Sequence, residues 1–175
     1  MEMKTKSGVV IAICTSKKHG YPTYPQNGVV TIGLPGIPGD AHFGELRESF
    51  RNPGTFKPND RPISIVSEEV RQWINANLDL NMKHGDFNEQ IVVQGLGDLG
   101  DIPIGTRIAF EGGVILEVVD YAYPCVKLEV HNGGEGKLMK SLIKKNPDGS
   151  IYSKRGILCK VIKPGELQAG YKVRL

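Results

Sequence analysis

Apolar residues occur along this chain in short runs that are rich in β-branched side chains and separated by glycine and proline. Such runs are typical of strands, because branched side chains pack well on a pleated surface. The runs are Gly8–Ser16, Gly28–Leu34, Pro62–Val66, Gln90–Gly95, Gly105–Gly113, Val114–Tyr123, Gly156–Gly165 and Tyr171–Leu175. The letters EGG at 111–113 predict a hairpin turn, since glycine readily adopts the positive φ that such turns need.

Two further segments show the period of a helix instead. In Ser67–Leu78, apolar side chains recur every three or four positions, Ser67 can cap the first turn, and Glu68 and Glu69 suit the positive end of the helix dipole. Glu135–Lys145 shows a second apolar face, and the letters NPDG that follow predict its end. The pattern predicts an α+β chain that is mainly β, with a barrel-like sheet and a few short helices in a single domain over residues 1–175.

Composition and charge restrict the class of protein. The chain has 175 residues, 39% of them hydrophobic, and a formal net charge of +3, which is typical of a soluble globular domain. No basic stripe indicates nucleic-acid binding, and the first apolar run is too short for a signal segment or a membrane span. Three widely spaced cysteines without a CxxC pair predict reduced thiols, no zinc or iron–sulfur site and a cytoplasmic location.

Two glycine-bracketed loops carry acid groups. The loop Gly36–Gly44 contains Asp40 and His42, and the segment His84–Leu96 contains Asp86 and Glu89. Side chains in such loops often face a ligand, because loops on a rigid scaffold carry much of a protein's function. Asp in a turn also bonds to nearby backbone N–H groups. The spacing leaves both interpretations open.

Cys125 differs from the other two cysteines in its surroundings. Cys14 and Cys159 lie within strand-like runs, where cysteine usually acts as a small hydrophobic residue. Cys125 follows Pro124, which cannot donate to a β-ladder and therefore marks the end of a strand. Lys127 lies two residues further on and would favour a thiolate if its ammonium group approached the sulfur. Spacing alone leaves core packing and a reactive thiol equally open.

The ordered set of these pieces resembles the MOSC domain, the family named after the C-terminal domain of molybdenum cofactor sulfurase. The resemblance covers nearly the whole chain, and the Gly-Asp-x-His loop, the Gly-Asp-Phe loop and the Pro-Cys pair are specific when they occur together in this order. The matching pieces are GVVIAICTS, GIPGDAHFG, RPISIVSEEV, HGDFNEQIVVQGL, IPIGTRIAFEGGVILEVVDYAYPC and SKRGILCKVIKPGELQAGYKVRL. The resemblance implies a closed or nearly closed β-barrel of the pyruvate-kinase-barrel kind, with the family's cysteine at Cys125.

The resemblance also implies a ligand and its binding residues. In the family this cysteine coordinates the metal of molybdenum cofactor (molybdopterin) or carries sulfur as a persulfide, and a soft thiolate suits both tasks. Arg61 and Arg155 match basic positions that would hold the cofactor's phosphate. The full set of predicted cofactor-binding residues is Asp40, His42, Arg61, Asp86, Glu89, Lys127 and Arg155. The family's usual Gly-Asp-Phe-Gly-Glu-Asn reads GDFNEQ here, so Asn88 and Gln90 replace Gly and Asn.

Three functions are compatible with this resemblance. The first is molybdenum cofactor binding through Cys125, either in handling of the cofactor with its biosynthesis proteins or in reduction of N-hydroxylated compounds. A reductase would take electrons from a partner, because the chain has no ferredoxin cysteine set and no flavin fingerprint. The second is a sulfur carrier or sulfurtransferase that receives sulfur at Cys125 from a cysteine desulfurase, on which pyridoxal phosphate would reside. The third is a non-enzymatic binding module.

Overall fold

The computed structural model describes residues 6–175, in which fourteen strands, three α-helices and one 3-10 helix follow one another. In chain order the elements are β1 (Ser7–Thr15), β2 (Tyr24–Pro25), β3 (Val30–Ile32), β4 (Leu46–Glu48), β5 (Phe56–Pro58), β6 (Ile63–Ser67), α1 (Glu68–Leu78), β7 (Ile91–Gln94), the 3-10 helix (Leu99–Asp101), β8 (Arg107–Phe110), β9 (Ile115–Tyr121), α2 (Val126–Asn132), α3 (Lys137–Leu142), β10 (Ile143–Lys145), β11 (Ile151–Ser153), β12 (Ile157–Lys163), β13 (Gly165–Leu167) and β14 (Lys172–Arg174).

Seven of these strands close into a β-barrel, which confirms the predicted fold class. Around the barrel the order is β14, β8, β9, β12, β6, β7 and β1, and the pairing of β1 with β14 closes the ring. Closure leaves no free edge, so the backbone groups of these strands are paired within the sheet. The predicted hairpin between β8 and β9 is also confirmed, with positive φ angles of 93° at Gly112 and 88° at Gly113.

Alternate residues of the strands build two separate cores, because successive side chains of a strand point to opposite faces. In β7, Ile91 and Val93 point into the barrel, whereas Val92 points outward to a second cluster under the helices. Leu128 of α2 and Leu138 of α3 are fully buried in that outer cluster. The helices therefore cover one side of the barrel, and the outer cluster anchors the segment that begins at Cys125.

The helix α1 connects two neighbouring parallel strands, β6 and β7. It begins where the sequence predicts, since the Ser67 side chain accepts a hydrogen bond from the Val70 amide and two acidic residues occupy the first turn. Ile74 is its fully buried apolar residue, whereas Trp73 is 46% exposed. Among residues 6–175, no helix combines the length and the apolar character needed to cross a membrane.

The second predicted helix, Glu135–Lys145, is partly wrong. The helix α3 ends at Leu142, and Ile143–Lys145 forms the strand β10, which pairs with β11. The NPDG letters form the turn of this hairpin, where the Asn146 amide donates to the Ser150 carbonyl. Apolar positions in a short amphipathic stretch fit a helix and a strand almost equally well, so pairing with a partner strand decides the outcome.

Candidate functional site

Cys125 lies between β9 and α2, four residues beyond the last residue of β9, and is the N-cap residue of α2. The sequence did not predict this helix. Cys125 is half-buried against the outer cluster, whereas Cys14 and Cys159 are fully buried, as expected for small hydrophobic residues. Burial raises the pKa of Cys14 and of Cys159, so both remain protonated thiols. Cys125 is therefore the accessible thiol among the three.

Tyr21 and Arg155 form a polar contact chain with the Cys125 sulfur. The Tyr21 hydroxyl lies 3.5 Å from Cys125 Sγ, and Arg155 Nη2 donates to the same hydroxyl at 2.9 Å. Arg155 also donates to the carbonyl oxygens of Tyr123 and Phe87, at 2.8 and 2.7 Å. These carbonyls belong to two different segments of the chain. The two hydrogen bonds therefore hold the Arg155 guanidinium in place and tie the two segments together.

The surroundings of Cys125 favour the thiolate. Burial of the sulfur raises its pKa, but several contributions outweigh burial, so the pKa of Cys125 lies below its ordinary value. They are the hydrogen bond with Tyr21, the amide groups of Leu128 and Lys127 and the positive charge of Arg155. The Lys127 side chain is exposed, and this residue acts on the sulfur through its backbone amide. The nearby cation is Arg155 instead.

A pocket of about 170 Å³ lies beside Arg155 and brings several predicted residues together. Its polar lining includes His42, Arg61, Asn88, Gln90, Tyr123 and Arg155. Arg61 enters it from the segment just before β6, where Nη1 donates to Asp120 Oδ2 at 2.8 Å and Nε to Asp60 Oδ1 at 3.2 Å. Two guanidinium groups thus face one small cavity, although each already has partners within the chain.

His42 is held at the pocket by its own loop. Its Nδ1 lies 2.9 Å from Asp40 Oδ1 and 3.1 Å from Gln90 Nε2. Because Nδ1 is occupied by these two contacts, Nε2 is the ring atom that is available to a ligand. Gln90 is itself fixed, because its Oε1 accepts from the Ser64 amide at 2.8 Å and the Ser64 hydroxyl at 2.7 Å.

The replaced position Asn88 has two unusual properties. Its φ is 61°, in the left-handed region where glycine is favoured and asparagine is tolerated. The substitution of glycine by asparagine therefore preserves the turn. The Asn88 Oδ1 atom is also buried without a hydrogen-bond partner among the described residues, and the residue lines the pocket. An unpaired buried acceptor is costly unless something supplies a donor.

The three acidic residues that were predicted to bind a cofactor accept hydrogen bonds from the protein's own backbone. Asp40 accepts from the amides of Ser16 and His42, at 3.0 and 2.9 Å. Glu89 is fully buried and accepts from the Gly85 amide at 2.6 Å and the Phe87 amide at 3.0 Å.

Asp86 bridges two segments in the same manner. It accepts from the Lys83 amide at 2.7 Å and lies 2.9 Å from His131 Nε2. Of the two interpretations that the spacing left open for these acids, the geometry favours loop stabilisation over direct ligand contact.

A larger groove of about 690 Å³ opens next to this pocket, along the chain that follows β1. Ser16, Lys17, Lys18, His19, Tyr21 and Tyr24 are among its lining residues. The His19 ring contacts the His42 ring edge to face, with centroids 4.9 Å apart, so the groove and the pocket meet at this pair.

The sequence did not indicate Lys17, Lys18 or Tyr21 as site residues. Tyr21 lines the groove and also touches the Cys125 sulfur. The signal that could have identified it is the tyrosine- and proline-rich loop after the first strand, but 104 residues of chain separate it from Cys125. Only the closure of the barrel brings these two segments together.

A known protein family and a known protein resemble this chain in sequence. A sequence profile of the MOSC domain matches residues 38–174. YuaD of Bacillus subtilis strain 168, whose name proposes a role in metal–sulfur cluster biosynthesis, is 28% identical over a 163-residue alignment that covers 80% of this chain and 76% of YuaD.

Solved structures share the fold. The crystal structure of YuaD has a TM-score of 0.79 at 24% identity, with 98% of this chain and 96% of that chain covered. YiiM from Geobacillus stearothermophilus has a TM-score of 0.61 at 16% identity, with 96% of this chain and 73% of that chain covered. At these identities the likeness concerns the fold.

Proposed function

Because this chain belongs to the MOSC domain family, we propose that it binds molybdenum cofactor, with the Cys125 thiolate as the protein ligand of the metal. The observation that carries the proposal is the combination of an accessible thiol, whose pKa lies below its ordinary value, with a polar pocket that Tyr123, two residues before Cys125, lines. A soft thiolate suits a metal that already has sulfur ligands. Arg155 hydrogen-bonds to two carbonyl oxygens and a hydroxyl, so it leaves a positive charge at the pocket that suits an anionic ligand.

The residues present fit this group in three respects. The unpaired Asn88 Oδ1 offers an acceptor, and a pterin ring carries N–H donors. Lys17 and Lys18 offer exposed ammonium groups for a phosphate, whereas Arg61 and Arg155 are already engaged within the chain. The pocket of about 170 Å³ lies below the range of roughly 300–1,000 Å³ that is typical of small-molecule sites, and the adjoining groove of about 690 Å³ supplies the missing space.

Each residue of the chain then has a separate task. Cys125 would hold the metal, Asn88 would accept from the ring, and Lys17 with Lys18 would hold the phosphate end. Arg155 and Tyr21 would keep the sulfur ionised and oriented. When bound, the cofactor supplies two-electron redox chemistry at molybdenum. The chain's part is to bind, to orient and to limit access of water to the thiolate.

The biological role that we propose is handling of the cofactor or reduction of N-hydroxylated compounds. Handling requires transfer to and from cofactor biosynthesis proteins, and reduction requires an external electron donor. Both roles use the same thiol, so the binding test comes before any test of turnover.

Molybdenum content per chain tests the proposal. Wild type and Cys125→Ser are produced in a host that makes the cofactor, and metal is measured by mass spectrometry on the purified proteins. We expect near-stoichiometric molybdenum in the wild type and less than about a tenth of it in the serine variant, which loses the thiolate ligand. Cys159→Ser is the matched control, because that thiol is buried inside the barrel. Equal metal in wild type and Cys125→Ser would contradict the proposal.

A second candidate function is sulfur transfer, which is favoured by the low-pKa thiol and by the role that the name of YuaD proposes. The Cys125 thiolate would attack the terminal sulfur of a cysteine persulfide on a desulfurase. One S–S bond forms, the bond to the desulfurase cysteine breaks, and that cysteine leaves as a thiolate, so no external oxidant is needed.

Intact mass spectrometry distinguishes this second function. A sulfur adduct on Cys125 that reductant removes, without bound molybdenum, would favour sulfur transfer. Absence of both adduct and metal would leave a non-enzymatic binding module as the function.

A further inference from the structure

We propose that residues 45–60, which we call the arm, form the contact between two copies of this chain in a symmetric dimer. The arm consists of β4, β5 and the turn between them. The inference goes beyond the cofactor proposal, because it depends neither on Cys125 nor on a bound ligand.

The arm has no core of its own. None of residues 45–60 is buried, and β4 and β5 pair with each other and with no other strand of residues 6–175. A two-stranded hairpin by itself is only marginally stable in water and needs further packing. The arm therefore lacks the apolar cover that the barrel strands obtain from the two cores.

One face of the arm carries exposed apolar side chains. Leu46 pairs with Pro58, and Glu48 pairs with Phe56. Because alternate residues of a strand share a face, Leu46, Phe56 and Pro58 lie on the same face of the arm. Leu46 is 62% exposed, Phe56 is 63% exposed, and Phe50 in the turn is 91% exposed. Several large apolar side chains exposed together on a soluble domain mark an interaction surface.

The charges of the arm favour a second copy of this chain as the partner. The arm carries equal numbers of cations and anions, which are Arg47, Arg51, Lys57, Glu45, Glu48 and Asp60. Its net charge is therefore zero, whereas an anionic membrane selects a basic surface and a strongly charged protein selects a surplus of the opposite sign. Two copies related by a two-fold axis present the same surface to each other, so each arm offers cations for the other's anions and anions for its cations.

The exposed area suits a weak dimer. Burial of the exposed 91% of Phe50 and 63% of Phe56 would remove roughly 300 Å² from water, at about 200 Å² for each aromatic side chain. A standard interface takes about 800 Å² from each partner. The two phenylalanines thus supply more than a third of that area, and the other exposed residues of the arm add to it. We expect a dissociation constant on the order of 10 µM.

The arm also joins two residues that line the pocket, His42 and Arg61. At its base, the Asn59 side-chain amide donates to the carbonyl oxygens of His42 and Gly44, at 2.8 and 2.9 Å. Asp60 Oδ1 accepts from Arg61 Nε at 3.2 Å. A dimer built on the arms would therefore connect the interface to one wall of the pocket in each copy.

Sedimentation velocity over about 1–100 µM protein tests the proposal, because dimerisation follows mass action. We expect the wild type to pass from monomer to dimer across this range. Phe56→Lys places a cation on the apolar face of both arms, so the dissociation constant should rise at least about tenfold. Val130→Lys is the matched control, because Val130 is 75% exposed but lies on α2, outside the arm. Its profile should match that of the wild type, and thermal unfolding should show that both variants remain folded.

Hydrogen–deuterium exchange at the two ends of this concentration range locates the contact. Backbone amides within residues 45–60 should exchange more slowly in the concentrated sample, whereas those of α2 should exchange equally in both samples. A wild type that stays monomeric at about 100 µM would overturn the proposal. A dimer that Phe56→Lys does not weaken, or whose protected amides lie outside the arm, would overturn it as well.

Discussion

The acid-bearing loops and the Cys125 junction surround the same pocket, but their polar groups are used in opposite ways. In the loops, the Asp40 and Glu89 carboxylates each accept from two backbone amides of their own chain. At the junction, the Cys125 thiol is half-buried and accessible. Within the second loop, Asn88 Oδ1 differs from its neighbour Glu89, because it has no partner among residues 6–175. A side chain whose hydrogen bonds are all made within the chain stabilises a loop. A side chain with an unused hydrogen-bond donor or acceptor is available to a ligand.

The difference shows how residues that stabilise the loops can be distinguished from residues that are available to a ligand. Residue type alone does not do so, because aspartate and glutamate in glycine-rich loops suit both purposes. Hydrogen-bond partners do, since they show which donors and acceptors are already occupied. Changes in the acids should therefore affect stability, and changes at the junction should affect binding and reactivity.

The largest effect on stability is expected for Glu89→Ala. The change leaves the buried amides of Gly85 and Phe87 without an acceptor and opens a cavity, so the free energy of unfolding should fall by about 3 kcal/mol. Urea denaturation followed by circular dichroism measures it. Glu45→Ala is the matched control, because Glu45 is exposed, and its unfolding curve should match that of the wild type. A loss below about 1 kcal/mol for Glu89→Ala would make Glu89 a candidate ligand residue again.

A smaller, pH-dependent effect is expected for Asp40→Asn. Burial raises the pKa of Asp40, but hydrogen bonds from the His42 ring and from the Ser16 and His42 amides outweigh it, so the pKa lies below its ordinary value. The ionised group therefore stabilises the fold above the unfolded-state pKa of about 3.9, and this contribution is lost as pH falls through the folded-state pKa.

Wild type should exceed Asp40→Asn by about 1–2 kcal/mol in the free energy of unfolding at pH 7, and the gap should narrow below about pH 4. Urea titrations at a series of pH values check this. Asp79→Asn, at an exposed position, serves as the control and should show no such gap. A gap that is constant down to pH 2 would contradict a native carboxylate at Asp40.

The smallest effect on stability is expected at Asn88, where a substitution should weaken cofactor binding more than it lowers stability. Asn88→Gly suits the φ of 61° and removes an unpaired acceptor, so stability should change by less than about 0.5 kcal/mol. Asn88→Ala should cost about 1 kcal/mol, because alanine is strained in this region. Both variants lose Oδ1, so both should bind cofactor about tenfold more weakly in titrations. Unchanged affinity in both would show that Oδ1 does not face the ligand.

The sequence was sufficient to predict the barrel, and it distinguished Cys125 from the two buried cysteines, whereas the role of Cys125 stays a prediction. Strands such as Ile157–Lys163 are apolar, β-branched and bounded by glycine, and α1 has a cap and an acidic first turn, so local residues specify them. The short helix α2 was missed, because it has seven residues and starts without a side-chain cap. Its stability comes from burial of Leu128 in the outer cluster, which is a tertiary effect.

The contacts within the site could not be predicted from the sequence. Lys127 lies two positions from Cys125, yet Arg155 is the cation that acts on the sulfur, from 30 residues away. The contact between Tyr21 and Cys125 likewise depends on the closure of the barrel. Spacing along the chain indicates distance within one element, whereas the pairing of strands determines distance between elements.

The most direct test of the central claim, that Cys125 is the chemically available thiol, is native alkylation mapped by peptide mass spectrometry across a pH series. The account predicts one adduct per chain, on Cys125, with a midpoint below that of the same cysteine in the unfolded protein, and no adduct on Cys14 or Cys159 until the protein is denatured. A midpoint above that value, or equal labelling of the three cysteines in the folded protein, would contradict it.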